Sequence, residues 1–150
     1  MSATSVVLLP YAPSSVAVAR QRLSSELLAT GMSAGVVDDV VLVMSELLSN
    51  ALRHAHPLPC GQLRASWDCS ESQVEVAVSD GGAATEPRAG RPTLSSLGGR
   101  GLGIVEYLAD HWGVRHEGET TTVWATLTAS WATRNGHNRA TGTPALREVG

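Results

Sequence analysis

Apolar residues recur along this chain with two periods, one typical of helices and one typical of strands. Residues 14–30 and 34–55 repeat apolar positions every three or four residues and predict two helices. Ser14 or Ser15 is the expected cap of the first helix, and Gly31 closes it. The second helix is apolar on nearly every side, which is typical of a buried helix.

Strict alternation of apolar and polar residues predicts a hairpin of two strands, over residues 62–69 and 73–80. Further strands are expected over residues 6–9, 113–117 and 121–129. Counting by twos places Asp80 on the apolar face of its strand, together with Val74 and Val78. A carboxylate there costs free energy unless something pairs with it. A third helix is expected to open at Gly101 and to end before Gly113.

One narrow polar stripe interrupts the apolar second helix, through Asp39, Glu46, Asn50 and Arg53. Buried polar groups need partners, so the stripe indicates a cleft. Glu46 and Asn50 lie one helical turn apart. The ordinary interpretation is a polar pair on a solvated surface. The functional interpretation makes the Asn50 side-chain oxygen a magnesium ligand and Glu46 a general base.

Two glycine-rich segments follow the helix. Asp80 with Gly81 and Gly82 is either a simple turn or an adenine site. In the second case the carboxylate accepts a hydrogen bond from the exocyclic amine and Gly82 lets a flat ring approach. Residues 98–104 are either a linker or a helix start whose backbone N–H groups hold phosphate. The spacing fits neither a Walker loop nor a Rossmann fingerprint.

Composition and charge argue against several classes of function. A chain of 150 residues with a net charge of −3 and scattered basic residues gives no reason to expect direct nucleic-acid binding. No apolar run approaches the roughly 20 residues that span a membrane. Cys60 and Cys69 are expected to be free thiols in a reducing cytoplasm. His54 and His56 lack a third ligand nearby, so a metal pair is disfavoured.

The order of these motifs resembles the ATP-binding fold shared by gyrase-type ATPases and sensor histidine kinases. Its closest look-alikes are the small bacterial anti-sigma-factor serine/threonine kinases. The resemblance rests on Glu46 with Asn50, Asp80 with Gly82, the glycines around Leu102, and Thr122. It implies an α+β two-layer sandwich over residues 1–130, with a mixed sheet covered by helices on one face. The remaining 131–150 are expected to be a disordered tail.

The resemblance also implies the cofactors ATP and Mg²⁺ and a role for each matching residue. Those roles are magnesium binding by Asn50, catalytic base by Glu46, adenine binding by Asp80 and Gly82, and further nucleotide contacts by Arg100, Gly101, Leu102, Gly103 and Thr122. A lid is expected over residues 84–98. The implied partners are a small antagonist protein, phosphorylated on serine, and a sequestered sigma factor. Homodimerisation is usual for the look-alikes.

One departure opens an alternative. The family's adenine motif usually reads Asp-x-Gly-x-Gly, and Ala84 replaces its last glycine. The retained Glu46 favours an ATP-dependent kinase, whereas Ala84 favours a nucleotide-responsive binding module that has lost kinase activity. A histidine-kinase fragment is disfavoured because no long helical hairpin precedes the domain. Gyrase-like work on DNA is disfavoured because there is no room for a second domain.

Overall fold

The computed structural model describes residues 3–82 and 100–132 of the chain. Within these ranges the elements are β1 (Ala3–Pro10), α1 (Ser14–Ala29), α2 (Ala34–His54), β2 (Gln62–Cys69), β3 (Gln73–Asp80), α3 (Arg100–Leu108), β4 (His111–Glu117) and β5 (Thr120–Thr128). Every predicted helix and strand is present. The predicted lid at 84–98, Ala84, and residues 133–150 of the predicted tail lie outside the described residues.

The five strands form one sheet in the order β1-β2-β3-β5-β4. The two-layer α+β prediction is confirmed, but the expectation of a mixed sheet is wrong, because every neighbouring pair is antiparallel. The reason is the hairpin of β4 and β5, which folds back so that β5 lies between β3 and β4. β4 therefore runs parallel to β3 without being its neighbour.

The core lies between the three helices and one face of the sheet. Alternate strand residues such as Leu63, Val74 and Val78 pack there against Leu23 of α1 and Leu48 of α2. This burial is the main favourable term in folding. The opposite sheet face is open, and its edge strand β1 exposes Val6 and Leu8. No helix among the described residues is both long and apolar enough to cross a membrane.

Two local predictions were wrong for identifiable reasons. Neither Ser14 nor Ser15 caps α1: the N-cap is Pro13, and the Ser15 hydroxyl donates to the carbonyl of Pro10 at 2.6 Å. Gly113 does not stop α3, which ends at Leu108. Gly113 lies inside β4, where a Cβ would come within 2.7 Å of the Trp124 ring. It therefore gives room to a tryptophan from the neighbouring strand.

Both cysteines are free thiols, as expected, with Cys60 exposed and Cys69 buried. The start of the predicted tail contacts the domain. Trp131 forms a β-bridge with Met32, and the Ala132 N–H donates to the carbonyl of Gly31 at 2.7 Å. These contacts connect the end of β5 to the turn between α1 and α2.

Candidate functional site

The end of α2 is tied by hydrogen bonds to the end of β3. The backbone N–H of His56 donates to the carbonyl of Gly82, and the N–H of Gly81 donates to the carbonyl of His56, both at 2.8 Å. α2 also packs against β3 and α3. The polar stripe of α2 and the strand end carrying Asp80 are therefore held together by the backbone. The cleft that the sequence pattern predicts would lie at this junction, and it stays a prediction.

Asp80 is buried, with 5% of its surface exposed. One carboxylate oxygen accepts a hydrogen bond from the Gly82 N–H at 2.8 Å. Burial raises the pKa of Asp80 to about 6, although that hydrogen bond and the nearby His116 and His56 oppose the shift. Since the turn uses one of about four acceptor positions on the carboxylate, acceptor capacity remains for a ligand.

The two glycines after Asp80 have separate local causes. A Cβ on Gly81 would lie 2.1 Å from the carbonyl oxygen of Pro57, so only glycine lets the strand end approach the segment after α2 so closely. Gly82 has a φ of +105°, which side-chain-bearing residues rarely adopt. The local backbone therefore explains both glycines, as the turn interpretation expects. The binding of an adenine ring beside Gly82 stays a prediction.

Asn50 is a buried polar residue of α2, at 5% exposure, as is Ser45 at 4%. Its Oδ1 atom is buried and has no hydrogen-bond partner within the described residues. Such an atom costs about 1–3 kcal/mol when nothing satisfies it. A carbonyl oxygen in this state suits a hard cation or a hydrogen-bond donor supplied by a ligand. Glu46, one turn earlier, is half-buried on the same face.

A second unpartnered atom on this face was missed by the sequence reasoning. The Nε2 atom of His54 is also buried without a partner within the described residues. The four-residue spacing between Asn50 and His54 in the sequence indicates that the two side chains share one helix face. The pairing of His54 with His56 is a weaker indication, because the side chain of His56 is exposed. No group of three or more metal-ligating His, Cys, Asp or Glu residues occurs in the described part of the chain.

Thr122 lies on the opposite face of the sheet from Asp80. Its hydroxyl is 2.7 Å from that of Ser79, its pairing partner, and both lie on the open face of the sheet. The residue paired with Asp80, and so on the same face, is Thr121. The prediction was one residue out of register, and one residue reverses the face of a strand. Counting by twos from the buried Val123 would have identified Thr121.

The glycine-rich segment forms the beginning of α3, as predicted. Arg100 and Gly101 are its first residues. Leu102 is fully buried in the core, so it can reach a ligand only through its backbone N–H. Gly103 is exposed, and no described atom would lie within 4 Å of a Cβ there. Backbone N–H groups in a first helical turn lack partners within the helix, so they are available to an anion.

Comparisons with known proteins agree with this geometry. A family model described as histidine kinase-like ATPase domain matches residues 9–127. A serine-protein kinase RsbW from Listeria innocua is 26% identical over 114 residues, covering 68% of this chain and 73% of that protein. The match of the family model spans the polar stripe of α2 and the strand end with Asp80. They support the resemblance inferred from the motifs.

A solved structure gives the same fold. The crystal structure of the RsbU and RsbW domains of Rv1364c from Mycobacterium tuberculosis superposes with a TM-score of 0.63 at 18% identity. The match covers 87% of this chain and 34% of that chain, so this chain spans about a third of that protein. The family match over most of the chain is decisive: the chain belongs to the histidine kinase-like ATPase domain family.

Proposed function

We propose that this chain binds ATP with Mg²⁺ in the cleft between α2, the end of β3 and the start of α3. We further propose that it is a serine/threonine protein kinase that phosphorylates a small antagonist protein and sequesters a sigma factor. The observation that carries the proposal is the buried Oδ1 of Asn50, which has no hydrogen-bond partner among residues 3–82 and 100–132. Its cost is explained if a bound cation satisfies it.

Each part of the ligand has a matching group in the cleft. Asn50 would hold Mg²⁺ through Oδ1, and Asp80 would accept a hydrogen bond from the adenine amine. Backbone N–H groups of Gly101, Leu102 and Gly103 would bind phosphate at the start of α3, where the helix dipole favours negative charge. When bound, Mg·ATP would supply the phosphoryl group together with a cation that neutralises its charge.

Glu46 is the proposed general base. It is half-buried and lies one turn from Asn50, so its carboxylate can accept the proton of a serine hydroxyl that approaches the cation-bound phosphate. The relative from Listeria innocua is named a serine-protein kinase, which supports serine as the accepting residue. The antagonist protein and the sigma factor come from the resemblance to anti-sigma-factor kinases. A location in the cytoplasm and homodimerisation stay predictions of the same kind.

A second candidate function is a nucleotide-responsive binding module without phosphoryl transfer. Ala84, in place of the last glycine of the adenine motif, favours it because a methyl group can stiffen the loop after Gly82. Under this alternative Asn50 and Asp80 keep their roles, whereas Glu46 has none.

Calorimetric titration with ATP in Mg²⁺ tests the binding part. We expect Asn50→Ala to abolish magnesium-dependent binding, because the only cation ligand proposed on the protein is removed. Asp38→Ala removes an exposed polar group from the same helix and serves as the matched control. Unchanged ATP affinity in Asn50→Ala would contradict the metal assignment.

Incubation with γ-labelled ATP and a candidate antagonist protein tests phosphoryl transfer. We expect serine-linked label with the wild-type chain and none with Glu46→Ala, which should still bind nucleotide because a base acts only in the attack. Undiminished turnover in Glu46→Ala would reject its role as base. Nucleotide binding by the wild-type chain without label would favour the second candidate for that partner.

A further inference from the structure

One face of α2 presents a carboxylate, an amide and an imidazole at successive helical turns. These are Glu46, Asn50 and His54, spaced four residues apart. Within the described residues, three buried side-chain atoms lack a hydrogen-bond partner, and two of them are Asn50 Oδ1 and His54 Nε2. The third, on Thr126, belongs to the open face of the sheet, because Thr126 alternates with Val123 and Ala125 along β5.

Two unpartnered atoms one turn apart point to a shared ligand. Each alone would be a destabilising defect of the kind that folded proteins rarely contain. Asn50 Oδ1 can only accept a hydrogen bond or bind a cation, and His54 Nε2 accepts one when the ring proton is on Nδ1. Both lie towards the C-terminal end of α2, where the helix dipole favours positive charge. The pair is therefore suited to a hydrated cation.

The hydration shell of the cation fits this arrangement. Mg²⁺ dehydrates reluctantly and usually keeps several waters when few protein groups bind it directly. A water molecule on a cation presents its hydrogens outward, and the unprotonated nitrogen of a neutral imidazole can accept one of them. His56 cannot fill the role in the same way, because its side chain is exposed and lies beyond the end of α2.

We propose that His54 is a second residue of the cation site, and that its Nε2 accepts a hydrogen bond from a water molecule on the Mg²⁺ held by Asn50. The proposal rests on the proposed function, because it needs Mg·ATP in the cleft. It adds to the nucleotide site a residue that acts only on the magnesium-dependent part of binding.

The test measures ATP affinity by calorimetry in Mg²⁺ and in EDTA and takes the ratio of the two dissociation constants. His54→Leu removes the acceptor at similar volume, and His54→Gln restores an acceptor oxygen near the position of Nε2. His111→Leu removes an imidazole from an exposed position on the open face of the sheet and is the matched control. Melting temperatures of the nucleotide-free proteins are measured in parallel.

We expect His54→Leu to lower the magnesium enhancement about tenfold without weakening ATP binding in EDTA. His54→Gln should recover most of the enhancement, and His111→Leu should match the wild type. The nucleotide-free His54→Leu protein should melt no lower than the wild type, because leucine removes a buried polar atom that had no partner.

Several results would overturn the proposal. An equal loss of affinity in Mg²⁺ and EDTA would mean that His54 contacts the nucleotide itself or supports the fold, and a lower melting temperature would identify the second case. An unchanged enhancement in His54→Leu, with a reduced one in Asn50→Ala, would refute the role of His54 alone. If the wild-type chain shows no magnesium-dependent ATP binding, the proposed function fails as well.

Discussion

Two carboxylates on the helix side of the sheet have opposite surroundings. Glu26 of α1 accepts hydrogen bonds from the Ser5 hydroxyl at 2.7 Å and from the Trp67 ring N–H at 2.9 Å. These bonds hold the pKa of Glu26 below its usual value. Asp80, at the end of β3, accepts one backbone bond, and burial raises its pKa to about 6. Among the described residues, Glu26 therefore has two hydrogen-bond donors and Asp80 has one.

The difference separates a structural role from a binding role. Glu26 stabilises the fold by joining α1 to β1 and β2 with charge-assisted hydrogen bonds. The ionised, buried carboxylate of Asp80 lowers the free energy of unfolding, so folding stability does not explain why the chain has an aspartate here. Buried groups with raised pKa values in a cleft are candidates for function. Asn50 and His54 have buried atoms without a partner within the described residues, and they lie in the element tied to this strand end, which supports the proposed binding site.

The largest expected effect is on the Asp80 side of the comparison. A folded-state pKa raised above the unfolded value contributes stability below the unfolded pKa, and that contribution is lost as pH rises through about 6. Asp80→Asn does not titrate, so from pH 4 to pH 7.5 it should gain about 2–3 kcal/mol in unfolding free energy relative to the wild type. Urea unfolding at both pH values measures this gain.

The ATP affinity of Asp80→Asn should fall, although its stability rises. A neutral amide is a weaker acceptor than a carboxylate, so Asp80→Asn should bind ATP about tenfold more weakly. Asp68→Asn changes an exposed carboxylate on β2 and should shift stability by less than about 0.5 kcal/mol at either pH. If Asp80→Asn is less stable than the wild type at pH 7.5, the contrast between the two carboxylates is wrong.

A smaller effect is expected on the Glu26 side, with the opposite sign. Glu26→Gln loses the charge that strengthens two hydrogen bonds, so its unfolding free energy at pH 7 should fall by about 1 kcal/mol. Because the folded pKa of Glu26 is lowered, its contribution is present above the unfolded value of 4.5 and is lost as pH falls through the folded value. The deficit should therefore shrink in acid.

The same unfolding measurements with Glu71→Gln, an exposed carboxylate, provide the control for Glu26. ATP affinity should be the same in Glu26→Gln and the wild type, because Glu26 contacts β1 and β2 away from the cleft. A deficit that persists undiminished at pH 3 would show that the charge of Glu26 does not provide the stabilisation, because glutamine matches the protonated side chain in size and charge.

The smallest effects concern the two threonines of β5. Thr121→Val should weaken ATP binding about fivefold, because it removes a hydroxyl beside Asp80 from the cleft. Thr122→Val should leave ATP affinity unchanged and lower stability by about 0.5 kcal/mol, because it removes the bond to Ser79 on the open face. Calorimetry measures the ATP affinity of the two variants, and urea unfolding measures their stability. The reverse result would restore the assignment made from the sequence.

Much of the architecture was readable from local patterns. Period-two alternation from Val74 placed Asp80 on the buried face, and the apolar surroundings of Asn50 indicated that this residue is buried. Both follow from the geometry of a single element, so the sequence suffices. The errors arose where a second element decides the outcome. Gly113 looked like a helix stop, but its absent side chain gives room to Trp124 of the next strand.

The amino-acid order alone determined which stretches are helices or strands and which side chains share a face, because these depend on neighbours a few residues apart. Only the tertiary structure decided that β5 lies beside β3, that Thr121 is the partner of Asp80, and that His56 pairs with Gly81 and Gly82. It also decided that Asn50 and His54 have buried atoms without a hydrogen-bond partner in the part of the chain that the structure describes. Whether a polar atom is satisfied depends on residues distant in sequence that packing brings near.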